Sequence, residues 1–166
     1  MKNKETASIA TADLLVTTHF QQIEGLFLSV MKYPSKGLRV VDFTDFSDHP
    51  SLSLLERLHE DFNIGFFGLQ VEEKSLIGAL QNISRRQEKL FIVTLGAAGS
   101  IAFHAGNETS IAAVPVPRVV DTTGTGDNFA AGFLSLYCSE RDIPNALARG
   151  AECAARTIAH PGATPA

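Results

Sequence analysis

The sequence lacks several features that would assign the protein to a class at once. It contains no tryptophan and only two cysteines, Cys138 and Cys153, in 166 residues. Two isolated cysteines exclude a disulfide-stabilised scaffold and a cysteine-based zinc site, and free thiols are typical of a reducing compartment. No apolar run approaches the roughly 20 residues that cross a bilayer, and no signal-peptide pattern follows Met1. We therefore expect a cytoplasmic protein that has no membrane partner.

Charge is also scarce and nearly balanced. The chain has 14 basic and 18 acidic residues, a net charge of −4, and 45% hydrophobic residues. Because nucleic-acid binding depends on basic surfaces that meet phosphate, this balance does not favour a nucleic-acid partner. The apolar fraction excludes a disordered chain, and the length fits a single domain over residues 1–166.

Short apolar runs alternate with amphipathic stretches, which is typical of α/β proteins with a mostly parallel sheet. The pattern predicts strands at residues 14–18, 38–43, 64–69 and 90–94, and helices at about 21–32, 51–58, 72–85, 128–137 and 143–158. Two further short strands, 100–103 and 110–114, flank a turn at 104–107. They predict a β-meander rather than another βαβ unit.

The most informative stretch is a loop of small residues, 121–127, that precedes a predicted helix. Glycine lets the backbone approach a ligand closely, and the amides of a helix N-terminus can bind a phosphate or a developing oxyanion. The dinucleotide fingerprint and the P-loop both fail here, because Phe129 replaces the third glycine of the first and Asp127-Asn128 replaces the Lys-Ser/Thr of the second. Asp127 can act as the general base on a hydroxyl that attacks a phosphoryl group, or it can simply cap the helix.

The string Asp-Thr-Thr-Gly-x-Gly-Asp-x-Phe-x-x-Gly over residues 121–132 resembles the C-terminal signature of the ribokinase-like (PfkB) family of sugar and nucleoside kinases. This resemblance implies a three-layer, Rossmann-like α/β fold and ATP-dependent transfer of a phosphoryl group to a sugar hydroxyl, with Mg²⁺ on the phosphates. It also implies that Asp127 is the catalytic base and that Gly124, Thr125 and Gly126 form the anion hole. Thr125 stands where the family often has alanine.

Other positions match the family's nucleotide site. A strand-to-turn segment resembles the part of the family that contacts ATP, although alone it suits a plain hairpin turn; it comprises Thr94, Leu95, Gly96, Ala97, Ala98 and Gly99. Ala151 and Ala155 fall on the helix that lines the adenine pocket in the family, and they also suit the core. Gln70 and Glu73 fall where the family has Asn-x-x-Glu, which helps to hold magnesium and phosphate. The alternative for Glu73 is an acid in the first turn of a helix.

The resemblance further implies a site for a monovalent cation such as K⁺. Asp121 and Thr123 match positions that bind the cation in many members, together with backbone carbonyls around Thr157, His160, Gly162 and Ala166. Asp121 can equally order the loop by accepting hydrogen bonds from its own backbone.

A separate acidic group allows two interpretations. Asp42, Asp45 and Asp48 suggest a metal cluster by count alone, or a solvated acidic loop. The lack of a metal-binding loop motif favours the solvated loop.

Members of the family are near twice this length, and the resemblance covers only their C-terminal, nucleotide-binding half. Two function hypotheses follow: an ATP-dependent sugar kinase, or a non-catalytic fragment or relic that binds nucleotide or self-associates. Missing strands predict an exposed sheet edge that a second copy or another partner covers. Residues 41–45 and 153–158 are similar to fructoselysine-type kinases.

Overall fold

Alternation along the strands places apolar side chains on both faces of one central sheet. The computed structural model describes residues 3–163, and side chains from Ala7 onward. The strands are β1 Leu14–Thr18, β2 Leu38–Asp45, β3 Ile64–Gly68, β4 Leu90–Thr94, β5 Ser100–His104 and β6 Asn107–Ile111. The helices are α1 Asn3–Thr11, α2 Glu24–Met31, α3 Leu52–Arg57, α4 Lys74–Gln87, α5 Thr125–Glu140 and α6 Ile143–Ile158.

The six strands lie in sequential order, from β1 at one edge to β6 at the other. Strands β1 to β4 are parallel, and β5 and β6 are antiparallel additions. This arrangement confirms the predicted α/β fold with a mostly parallel sheet and a meander before the helix that follows the small-residue loop.

Helices cover the two faces of the sheet and give three layers. On one face, α2, α3 and α4 bury a core rich in phenylalanine, which includes Phe43, Phe46, Phe62, Phe67 and Phe91. On the other face, α5 and α6 bury a second core against alternate residues of the same strands. Because α5 and α6 share this second face, the small-residue loop that begins α5 lies beside the end of α6.

Helices α5 and α6 approach closely because α6 carries a glycine at the contact. A Cβ atom on Gly150 would lie 2.9 Å from the carbonyl oxygen of Phe129 and 3.1 Å from its ring. A methyl group at this position would therefore push the two helices apart. The side of α6 that lies next to the small-residue loop would move away from that loop.

The second strand of the meander and the start of α5 lie at other residues than predicted. The second strand of the meander lies at Asn107–Ile111 rather than 110–114, because Ala105 and Gly106 both adopt positive φ and close a two-residue turn. Helix α5 begins at Thr125 rather than 128. In the described part of the chain, no helix has the length and apolar character needed to cross a bilayer.

The phenylalanine core predicts a large cost for truncation at Phe67. Its ring stacks on Phe43 with centroids 4.8 Å apart and contacts Phe46 and Phe91. Phe67→Ala should lower the free energy of unfolding by about 3–5 kcal/mol, measured by urea denaturation. The control Phe20→Ala removes a ring that is 49% exposed and should cost far less. Equal losses in the two variants would contradict this packing.

Candidate active site

The small-residue loop ends in a glycine that caps α5. Gly124 has a φ of +72° and occupies the N-cap, and a Cβ atom there would lie 2.6 Å from the Cβ of Ala163. Both the backbone conformation and this close approach require glycine. Asp127 is exposed in the first turn of α5 and no side chain caps this helix, so the alternative that Asp127 is the helix cap is wrong.

The first turn of α5 presents free backbone donors. Thr125 donates its amide to the carbonyl of Thr122 at 3.2 Å, and Asn128 donates to Gly124 at 2.9 Å. The amides of Gly126 and Asp127 lie between them, at helix positions that have no intrahelical acceptor. Two N–H groups therefore point outward at the positive end of the helix, next to an exposed carboxylate.

Asp121 ties the loop to the segment that follows α6. Its Oδ1 accepts a hydrogen bond from the Thr123 amide at 2.9 Å, and its Oδ2 accepts one from the Gly162 amide at 2.8 Å. These donors, with the Thr123 hydroxyl, lower the pKa of Asp121 to about 2. The structure thus confirms that Asp121 orders the loop, and both of its carboxylate oxygens already have donors.

Asn128 adds a second connection, which the sequence reasoning missed. Its side-chain amide donates to the carbonyl of Gly124 at 2.9 Å and to the carbonyl of Ala163 at 2.8 Å. One side chain of α5 therefore holds both the N-cap of its own helix and the chain beyond α6. The partners Asn128 and Ala163 are 35 residues apart, so no local pattern could reveal this bond.

A cavity of about 580 Å³ opens beside the loop, between α5, α6 and the carboxyl end of β4. Its lining includes eight of the residues predicted from the sequence: Thr94, Gly96, Ala97, Gly99, Thr125, Gly126, Ala151 and Ala155. Much of the remaining wall is apolar, with Val114, Val116, Phe129 and Ile158. The fold therefore brings the two separate motifs and the two alanines of α6 to one place.

The segment after β4 is a tight turn. Residues Gly96–Ala98 form a 3-10 turn, and the Leu95 amide donates to the carbonyl of Gly99 at 2.8 Å. The side chain of Leu95 is buried in the phenylalanine core on the opposite face, so Leu95 does not line the cavity. Ala98 does not line it either.

Glu73 and Gln70 form a turn before α4. The Glu73 carboxylate accepts hydrogen bonds from the Ser47 hydroxyl at 2.5 Å and from the Gln70 amide at 2.7 Å, and these donors lower its pKa. Helix α4 begins at Lys74 and Glu73 is its N-cap, so the alternative of an acid in the first helical turn is wrong. The ionised carboxylate joins the turn after β3 to the segment after β2.

Asp42 differs from the other acidic residues of its segment. It lies in β2, is half-buried, and accepts a hydrogen bond from the Thr44 amide at 2.8 Å. Burial raises the pKa of Asp42 against this bond, and the carboxylates of Asp127 and Asp45 raise it further. Asp42 therefore lies within electrostatic range of Asp127. The solvated loop fits only Asp48, because Asp45 is the exposed last residue of β2. Among the described residues, no group of three or more metal-binding side chains could hold an ion, which excludes the metal cluster there.

The remaining residues of the predicted cation site lie after α6 or near its end. Thr157 is buried and its hydroxyl donates to the carbonyl of Cys153 at 3.0 Å, whereas His160 is exposed and its amide donates to Thr157 at 3.1 Å. Gly162 contacts Asp121 as described above. Ala166 lies outside the described residues.

Comparison with known proteins gives a consistent result. The family described as "pfkB family carbohydrate kinase" matches residues 58–166. Fructoselysine 6-kinase of Escherichia coli K12 is 38% identical over 98% of this chain and 60% of its own length. Adenosine kinase from Sinorhizobium meliloti shares the fold with a TM-score of 0.79, at 23% identity over 99% of this chain and 54% of its own. A ribokinase of Arabidopsis thaliana, solved with ribose and ATP, has a TM-score of 0.76 at 20% identity, covering 98% of this chain and 55% of its own. The chain thus spans little more than half the length of these proteins.

The hydrogen bonds of Asp121 predict a pH-dependent contribution to stability. Because its folded pKa of about 2 lies below the usual 3.8, Asp121 stabilises the folded chain above about pH 4, and this contribution disappears as the pH falls toward 2. Asp121→Asn should therefore lower the Tm clearly at pH 7 and progressively less between pH 4 and pH 2.5. The control Asp48→Asn changes an exposed carboxylate and should leave the Tm nearly unchanged at each pH. A difference between Asp121→Asn and wild type that does not shrink in acid would contradict this role.

Proposed function

Because the chain belongs to the pfkB family of carbohydrate kinases, we propose that its site transfers the terminal phosphoryl group of ATP to a hydroxyl group of a sugar. One observation carries the proposal: the free amides at the start of α5 and the exposed carboxylate of Asp127 adjoin a cavity lined by residues of both motifs. A phosphoryl acceptor site needs donors for the transferred group and a base for the attacking hydroxyl, and this edge of the fold supplies both.

In this proposal, Asp127 is the catalytic base. It accepts the proton of the acceptor hydroxyl while that oxygen attacks the phosphoryl group. The neighbouring backbone of Gly124, Thr125 and Gly126 forms the anion hole. Because the Thr125 amide donates to Thr122, the N–H groups free to bind the charge that develops on the phosphoryl oxygens are those of Gly126 and Asp127. Asp42 lies within electrostatic range of this base: burial raises the pKa of Asp42, and the charge of Asp127 raises it further.

The 580 Å³ cavity receives the nucleotide. Its volume lies within the usual range for small-molecule sites, and apolar walls with a few polar groups suit a purine base and ribose. Ala151 and Ala155 of α6 line the base, and the turn of residues 94–99 contacts the phosphate side. Gln70, which lies outside this lining, contributes on the phosphate side through the turn that it forms with Glu73.

The acidic groups of this chain fit a magnesium ion that the nucleotide carries. Because the described residues form no complete metal cluster, the phosphates must supply most ligands, as is usual for Mg²⁺. Glu73 is the residue that would hold the ion's hydration shell, and Mg²⁺ would neutralise the phosphate charge. Both carboxylate oxygens of Asp121 already accept backbone amides. A monovalent cation such as K⁺ would therefore be held mainly by backbone carbonyls around Thr157, His160 and Gly162. It would lie near Asp121 and Thr123.

We propose that the acceptor is a fructose-derived sugar. The support is the identity of 38% with fructoselysine 6-kinase, which extends over 98% of this chain. The similarity is therefore not limited to the two short segments 41–45 and 153–158. The chain corresponds in this proposal to the C-terminal, nucleotide-binding half of such a kinase, active in the cytoplasm.

A second candidate is a nucleotide-binding module that does not transfer phosphate. The observation that favours it is the lining of the cavity: the predicted site residues that it contains are those assigned to the nucleotide and to the anion hole. Under this alternative the cavity binds ADP or ATP, but no sugar supports turnover.

Replacing the base separates the two candidates. Asp127→Asn should reduce ADP production from ATP and fructoselysine at least about 100-fold, because general-base catalysis contributes on that scale, while calorimetric affinity for ADP stays near that of the wild type. Asp48→Asn, which changes an exposed acid, should retain turnover. Unchanged turnover in Asp127→Asn would contradict the role of the base. ADP binding by the wild type without turnover on any sugar would favour the binding module.

The exposed edge of the sheet predicts self-association. In the described chain, β1 pairs only with β2, and next to it lie exposed apolar side chains: Val16, Phe20, Ile23 and Leu26. A groove of about 1300 Å³ runs between β1 and α5 on the same side and contains none of the predicted site residues. Because unpaired strands and apolar patches bind other chains, we propose that a second copy or another partner covers this edge.

Light scattering of the purified chain tests this proposal. The wild type should be a dimer or larger, and Val16→Lys should shift it toward monomer by placing a charge on the edge strand. Val71→Lys changes a side chain that is exposed to 45% elsewhere and should leave the association unchanged. A soluble wild-type monomer at high concentration would contradict self-association.

A further inference from the structure

Ser100 is a buried hydroxyl without a partner. It is the first residue of β5, is 1% exposed, and its Oγ makes no hydrogen bond in the described structure. A buried polar atom that loses its water partners without gaining others costs free energy, and such atoms are rare in folded proteins. The position of Ser100 therefore calls for a physical reason.

Ser84 shows that this fold can satisfy a hydroxyl at the same depth. Ser84 is also 1% exposed, and its Oγ lies 2.7 Å from the carbonyl oxygen of Lys89 and 2.9 Å from that of Phe103. The two hydroxyls are equally buried, and they differ in that only Ser84 has carbonyl oxygens within hydrogen-bond distance.

The other two unpartnered atoms belong to side chains that have a further polar contact, which Ser100 lacks. The Nε2 of His19 lies 3.6 Å from a carboxylate oxygen of Glu24, and Gln87, whose Oε1 has no partner, donates its Nε2 to the Leu55 carbonyl at 3.3 Å. The hydroxyl is the only polar group of the Ser100 side chain.

Ser100 lines the cavity beside the small-residue loop. It pairs with Thr94 across the sheet and with Ile111 on its other side, and Ala102, two residues along the strand, packs in the core under α5 and α6. The Ser100 side chain therefore lies on the face of the sheet where the cavity opens. The described residues include three buried polar side chains, Ser84, Ser100 and Thr157, and of these only Ser100 contributes to the cavity wall.

We propose that Ser100 is a specificity-determining residue whose hydroxyl forms a hydrogen bond with a polar atom of the bound nucleotide. The inference rests on the proposed function, because it takes the cavity to be the nucleotide site. A serine hydroxyl can both donate and accept, so it can bond a ring nitrogen or a ribose hydroxyl. In this account the hydroxyl, which has no partner within the described protein, gains one when the nucleotide binds, and this sharpens selection for a nucleotide with a polar atom at that depth.

The test compares Ser100→Ala with Ser84→Ala in calorimetric titrations with ADP and in thermal unfolding. Ser100→Ala should weaken ADP binding about five- to tenfold, the usual effect of one lost hydrogen bond, while the Tm of the free protein stays the same or rises. Ser84→Ala should show the reverse pattern, with a lower Tm of the free protein and an unchanged affinity for ADP. The opposite directions separate a ligand contact from a structural one.

The outcomes separate this inference from the proposed function. Wild type that binds ADP, with Ser100→Ala binding it equally tightly, would overturn the role of Ser100 alone. A lower Tm of free Ser100→Ala without any loss of affinity would do the same. Failure of the wild type to bind ADP would overturn the nucleotide site itself, and the inference with it.

Discussion

The site depends on one carboxylate. Asp121 accepts the amides of Thr123 and Gly162, and so joins the loop before α5 to the segment after α6. A loop of glycine and threonine has many conformations, and fixing it costs entropy that these charge-assisted bonds offset. Asn128 repeats the connection from the helix side through Ala163. Because both ends of the cavity wall are held in this way, the first amides of α5 keep a defined position relative to α6.

The carboxylates around this edge divide into two kinds by their hydrogen bonds. Asp121 accepts the Thr123 and Gly162 amides and the Thr123 hydroxyl, and Glu73 accepts the Ser47 hydroxyl and the Gln70 amide. Both carboxylates have lowered pKa values, so they remain ionised and hold loops together. Asp127 is exposed at the positive end of α5, where a negative charge is favourable and a proton acceptor is accessible to a substrate. Asp42, half-buried in β2, has a pKa that burial raises and that the charge of Asp127 raises further. This division separates the groups that build the site from the group that we propose acts in it.

Local patterns predicted the elements well and the contacts between them poorly. Strands β1 and β4 and helix α6 agree with their predicted bounds, since apolar runs mark the strands and Asp142 caps α6 by accepting the Asn145 amide. The starts of α4 and α5 and the meander turn were misplaced, because side-chain bonds and positive φ values set them. The hydrogen bonds Asn128–Ala163 and Ser47–Glu73 join segments that are distant in sequence, and a single sequence carries no local sign of such pairs. The partial burial of Asp42 likewise depends on distant segments.

The central claim is that the start of α5 and the adjoining cavity together bind a nucleotide, with the phosphates at the helix amides. The most direct measurement is a titration of the isotope-labelled protein with ADP and with adenosine, followed by NMR of the backbone amides. We expect ADP to shift the amides of Gly126 and Asp127 strongly, and both ligands to shift those of Ala151 and Ala155. Shifts confined to the groove between β1 and α5, or identical effects of the two ligands at Gly126 and Asp127, would contradict the claim.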